Sequence, residues 1–185
     1  MFAQLEKLYR IVDDAVASIS TAHAGAVHCR PGCADCCHAV FDVSFIEAAR
    51  LALFLAENPL IQTRQQERAQ QAAEVFEQLF RNGGDPATAR IRCPLLGDDD
   101  LCLAHPVRPL NCRTYGTPTI IAGKAHVCGL SGFIGAQVYP SIDLAPLQER
   151  LSDYSRQLAG ENFAERRFPI AWVVLRLGFF LPRGG

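Results

Sequence analysis

Four cysteines fall within nine residues of this chain, in the stretch CRPGCADCC from Cys29 to Cys37. Thiolates packed that closely repel one another unless a cation or an oxidation joins them. Gaps of two or three residues let a single turn aim two sulfurs at one ion, and Pro31-Gly32 supplies a bend. Four more cysteines follow, so the full pattern is C-x3-C-x2-C-C-x55-C-x8-C-x9-C-x15-C, with Cys29, Cys33, Cys36, Cys37, Cys93, Cys102, Cys112 and Cys128 as the candidate ligands. The chain has 185 residues, enough to bury roughly 70% of its unfolded surface without covalent staples. Eight cysteines therefore need a reason other than a missing core. Buried free thiols and a disulfide lattice are the bland alternatives. The N-terminal MFAQLEKLYRIVDDAV is broken by Glu6, Lys7, Arg10, Asp13 and Asp14 and carries no export-type apolar run, so a cytoplasmic location is expected. In a reducing compartment clustered cysteines favour metal or redox chemistry over disulfides.

The remaining pattern predicts a mainly α fold: one domain over 1–185, with the cysteine motif region at 29–128 and a C-terminal helical arm at 141–182. Phe2, Leu5, Leu8, Val12, Ala15, Val16 and Ile19 recur at helical spacing over 2–22. Ser44 and Glu47 form a capping box ahead of Ala48, Leu51, Ala52 and Leu55, and Asn58-Pro59 stops that helix. A second helix is expected over 61–81, ending at Asn82-Gly83-Gly84, so the two form an αα-hairpin. From Asp85 to Pro140 the texture becomes irregular. Short β-hairpins are expected around Gly97-Asp98-Asp99-Asp100 and around Gly123, and a last helix follows Asp143. The hairpin of helices returns the chain, so the two cysteine groups can converge on one site.

Net charge is -1 and 20% of residues are charged, so nothing suggests a nucleic-acid partner. The longest apolar run, Phe168 to Leu181, contains Pro169, Arg176 and Gly178 and falls short of the about 20 residues of a membrane span. No G-x-x-x-x-G-K-[ST], G-x-G-x-x-G or G-x-S-x-G motif occurs, which removes support for nucleotide and acyl-transfer chemistry. The expected partner is a metal ion or cluster. An iron–sulfur cluster comes first, because Cys36 and Cys37 are adjacent and the sulfurs exceed what one zinc needs. Zn²⁺ comes second, and soft thiolates also select Cu(I). Adjacent side chains are expected to diverge, so Cys36 and Cys37 are poorly placed to end on one mononuclear ion. Four thiolates on Zn²⁺ or on a [4Fe–4S]²⁺ core leave a net charge of about -2. Arg30, Arg92, Arg108 and Arg113 flank the cysteines and can donate hydrogen bonds to sulfur. Their alternative is pairing with Asp98, Asp99 and Asp100. His126, two residues before Cys128, is a further candidate ligand.

With those residues in place, CRPGCADCC, the later CPLL, the CLAHPVRPLNCRTYG element and the late Cys128 resemble the YkgJ-type cysteine-cluster family, a zinc- or iron-chelating domain. The resemblance covers Cys29 to Cys128 and implies metal binding. His105 departs from it, standing where the family often has tyrosine. Some larger members resemble flagellin lysine methylases, so the resemblance also admits a methyltransferase-like or redox enzyme; a structural zinc module for protein contacts is the other alternative. C-x3-C-x2-C also matches the radical S-adenosylmethionine motif, but Asp35 occupies its usual aromatic position and no alternating strand–helix run accompanies it.

Overall fold

The computed structural model describes residues 2–134 and 137–182. Among them are eight α-helices and only short strands, in one two-stranded and one three-stranded sheet, so the fold is mainly α. The first helix, α1 (Ala3–Ala22), buries Leu5, Leu8, Tyr9, Val12 and Ile19, the stripe its spacing predicts. Helix α2 (Phe45–Glu57) is the centre of the molecule. Ala48, Leu51, Ala52 and Leu55 are fully enclosed, each leucine contributing about 2 kcal/mol through burial. The capping box at its start is present.

The second predicted helix forms in two pieces. Gln65 leaves helical dihedrals (φ -95°, ψ 2°), separating α3 (Pro59–Arg64) from α4 (Gln66–Arg81). The chain does reverse at Asn58-Pro59, but α4 finds its main partner in α7 (Ile170–Leu175). Ala72 and Ala73 lie against Ala171 there, where small side chains let two helices approach closely. The expected αα-hairpin is thus opened by a C-terminal helix that local periodicity cannot place.

The apolar C-terminal run is docked. A strand β1 (Asp42–Ser44) pairs antiparallel with β5 (Arg167–Pro169). Phe168, Val173, Val174 and the last helix, α8 (Leu177–Phe180), join the core around α2. Among the described residues no helix is long and apolar enough to cross a membrane. Helix α6 (Ala145–Ala159) begins after Asp143, whose carboxylate accepts the Ala145 N–H at 3.0 Å. Its Ser155 hydroxyl accepts the Ile46 N–H at 3.1 Å, tying α6 to the start of α2.

Between these helices runs the irregular region. Strands β2 (Thr119–Ile121) and β3 (Lys124–His126) form the expected hairpin through Ala122-Gly123, both at positive φ as a two-residue primed turn requires, and β4 (Ile142–Asp143) pairs parallel with β2. The other expected hairpin is a turn: Gly97 N–H meets Leu101 C=O at 2.8 Å and Leu103 N–H meets Leu95 C=O at 2.9 Å. A short helix, α5 (Leu110–Thr114), carries Cys112.

Candidate metal centre

All eight cysteines are free thiols and all border one cavity of about 1020 Å³. Cys37 is buried, Cys29 is exposed and the other six are half-buried. Cys37 and the cysteines of the segments that follow α4 (Cys93, Cys102 and Cys112) are called the floor here, and the loop cysteines Cys29, Cys33 and Cys128 the mouth.

The floor is assembled from hydrogen bonds across long sequence separations. Cys37 C=O accepts the Cys93 N–H at 2.7 Å, and His38 C=O accepts the Ile91 N–H at 2.9 Å, so the nine-residue cluster is stitched to the segment that follows α4. Cys102 lies opposite Leu96 in the Gly97 turn. Cys112 is positioned through the N-terminus of α5. Leu110 N–H donates to Glu47 Oε1 at 2.8 Å, while Glu47 Oε2 accepts the Ser44 N–H at 2.9 Å and the Ser44 hydroxyl at 2.8 Å. Glu47 is only 2% exposed, so this one carboxylate satisfies two helix starts at once.

Arg113 locks the same corner. Its Nε donates to Arg108 C=O at 2.8 Å and its Nη2 to Pro106 C=O at 3.0 Å. Its Nη1 meets Asp13 at 2.5 Å, and the guanidinium lies 4.0 Å from the centre of the Tyr9 ring. Three of the five N–H groups of the planar fork thus go to backbone carbonyls and a carboxylate, and its face lies on an aromatic ring, which holds the loop between the 105–107 turn and α5.

The floor thiols have divergent acidities. The Cys37 thiol donates towards Cys102 and Cys36, which drives its own pKa upward. Cys36 and Cys102, receiving that hydrogen bond, are held down to about 7. Both cysteines of the adjacent pair lie in the 3₁₀ turn Asp35–Cys37, with Cys37 buried and Cys36 half-buried. Burial pushes Cys93 up to about 12 and raises Cys112 well above the usual thiol range.

The mouth is built from turns. Cys33 N–H bonds to Arg30 C=O at 2.9 Å, with Gly32 at φ +84°, so the C-x3-C segment folds back on itself. Gly116 has φ +96°, and a Cβ there would lie 2.3 Å from Cys29 Sγ; only glycine leaves room for that sulfur. The loop of Cys128 is tied to the loop of Cys29 by Gly132 N–H to Ala26 C=O at 2.8 Å and by a 2.7 Å contact between His28 Nδ1 and Leu130 C=O. Asp35 accepts the Tyr115 hydroxyl at 2.6 Å and the Cys128 thiol at 3.6 Å, and it pairs with Arg90. Burial opposes ionisation of Asp35, but the Tyr115 and Arg90 bonds outweigh it and hold its pKa below the usual carboxylate value.

The four flanking arginines divide. Arg30, Arg108 and Arg113 line the cavity. Arg92 lies outside it, with Nη2 on Gly97 C=O at 2.8 Å and Nη1 3.9 Å from Asp100, close to the surface pairing that was its alternative. Arg108 Nε is buried without an acceptor, and the Arg108 charge lowers the pKa of Cys29, Cys36 and Cys102. His28 and His105 line the cavity, whereas His126 is exposed on β3 and is not part of its lining. Among the described residues no three His, Cys, Asp or Glu side chains are already drawn into a closed metal-ligand set. What the eight cysteines share is a cavity.

Asp35, Glu47, Tyr115 and Gly116 shape this site and carry no sequence signal of that role. Tyr115-Gly116 does follow Cys112-Arg113 inside the CRTYG element, and that proximity was the available clue. A family model covering residues 28–129 matches the chain: the CxxCxxCC family, described as "Putative zinc- or iron-chelating domain". The match spans more than half of the chain, and the chain belongs to this family. No curated protein and no solved structure matches it.

Proposed function

We propose that this member of the CxxCxxCC family holds an iron–sulfur cluster on the cavity floor, through Cys37, Cys93, Cys102 and Cys112, and serves a redox or accessory role in the cytoplasm. The carrying observation is a surplus of sulfur around a large space. Eight thiols border about 1020 Å³, whereas one zinc takes four ligands at about 2.3 Å and leaves most of that volume unused. The donor set fits: four thiolates suit a cubane, and the buried, acceptor-less Arg108 Nε suits a centre of net negative charge. A cluster supplies one-electron transfer, which zinc does not. The whole of 1–185 acts as one metal-binding unit in this reading, because the C-terminal arm closes the core beneath the site through the β1–β5 pair.

Anaerobic purification followed by iron, sulfide, zinc and copper analysis tests the reading. About four iron and four sulfide per chain, with broad visible absorption, are expected of a [4Fe–4S] centre. Stoichiometric zinc from aerobic and anaerobic preparations alike, without acid-labile sulfide or colour, contradicts it and leaves a structural zinc module.

A further inference from the structure

We infer that the rim of the cavity is a docking surface for an acidic polypeptide segment of another protein, one that carries apolar side chains among its carboxylates. Charge is divided unevenly along the chain. Residues 15–34 and 101–142 contain Arg30, Arg108, Arg113, Lys124 and four of the five histidines, and none of the 19 acidic residues. The fold brings these two segments together. Gly132 N–H bonds to Ala26 C=O at 2.8 Å, Phe133 packs with Ile19 in one core cluster, and the His23 ring stands edge-on to Phe133 and Tyr139. Carboxylates that border them are already engaged. Asp35 pairs with Arg90, Asp13 with Arg113, Asp100 lies 3.9 Å from Arg92, and Asp143 accepts the Ala145 N–H. Arg30 and Lys124, by contrast, are exposed and in no ion pair among the described residues.

The same region concentrates exposed apolar side chains. Of the eleven large ones among the described residues, six lie between 101 and 138. Leu101 and Leu130 border the cavity together with Arg30. Ile121 lies opposite Lys124 in the β2–β3 hairpin, and Val127 follows β3. Single exposed leucines need no explanation, but a group of them beside an opening marks a contact surface. Charge complementarity selects an acidic occupant and opposes a second copy apposed through the same face, which would set cation against cation. The backbone favours a polypeptide over a lipid surface. Strand β3 is at the edge of its sheet with all three residues exposed, so it can accept a further extended strand. Two exposed cations are also fewer than the about four to eight that draw a protein to anionic lipid. A segment bound at this rim would lie across the entrance to the cysteines.

The test is fluorescence anisotropy with the full chain and short synthetic peptides that vary from acidic to basic at fixed leucine and phenylalanine content. Affinity is expected to rise with negative charge and to fall as salt is added. Lys124→Glu and Ile121→Asp, exposed positions outside the cavity lining, are each expected to weaken the acidic peptides at least tenfold. Leu60→Asp, an exposed position on α3, should leave binding unchanged. Metal content should be the same in all four proteins, so the result stands apart from the identity of the centre. Failure to bind any acidic peptide, binding indifferent to peptide charge, or equal binding by the two rim variants overturns the inference. So does sedimentation with phosphatidylcholine–phosphatidylserine vesicles, or self-association, that the two rim substitutions abolish.

Discussion

The floor and the mouth of the cavity use the same chemical group in opposite ways. Floor cysteines sit on backbone fixed by the core: Cys93 is bonded to Cys37, and Cys112 is on a helix whose first N–H is held by the buried Glu47. Mouth cysteines sit on loops whose positions depend on glycines and a few hydrogen bonds. Thiols on the floor are placed by long-range bonds to the core, and thiols at the mouth are placed by local turns. The contrast also shows that sequence proximity is a poor guide to partnership. Cys37 works with residues more than fifty positions away, while Cys29 and Cys33, in the same short loop, face the mouth.

The sharpest way to break the floor is Glu47→Ala. It strips acceptors from Ser44 N–H and Leu110 N–H together, and about 4 kcal/mol of stability is expected to go. Denaturant unfolding measures it, and floor metal should fall because α5 loses its anchor.

The pH dependence separates the two states of the thiols. In the metal-free protein burial holds Cys93 at about 12 and raises Cys112, so those thiols keep their protons when the unfolded chain has begun to lose its own near pH 8.5–9. Stability is fully present below that value and declines by a few kcal/mol as pH rises towards 12. Cys36 and Cys102, held near 7 by Cys37, act in the opposite sense between about pH 7 and 9. Metal loading deprotonates the ligands at neutral pH, so the alkaline decline should vanish in the holoprotein. Thermal melts of both forms from pH 7 to 11 provide the check.

Gly116→Ala should act on the mouth. A side chain at φ +96° costs about 2 kcal/mol, and Cys29 must move to admit the new Cβ. Denaturant unfolding should show the loss, with floor metal retained. Tyr115→Phe is milder, removing one hydrogen bond to Asp35, about 1 kcal/mol by the same measurement.

Much of the frame was legible in sequence. The α1 stripe, the Ser44–Glu47 capping box and the docked 168–181 segment follow from local periodicity and capping. The break at Gln65 and the pairing of α4 with α7 were not legible, because they depend on a helix a hundred residues later. The eight cysteines were visible at once, yet their division by depth was not, since it arises from long-range bonds between 37–38 and 91–93. Arg113 was expected to serve the sulfurs through hydrogen bonds; three of its five N–H groups go instead to the Arg108 and Pro106 carbonyls and to Asp13, an arrangement no local pattern announces. The cysteines announce the chemistry, and the partners of a buried Glu47 or a Gly116 become visible only when the chain is folded.

The most direct measurement of the difference between floor and mouth is the iron and sulfide content of the anaerobically reconstituted protein carrying Cys112→Ser or Cys29→Ser. Cys112→Ser is predicted to lose the cluster and its visible absorption, while Cys29→Ser keeps about four iron and four sulfide. Equal loss in both variants, or full retention in Cys112→Ser, contradicts the account.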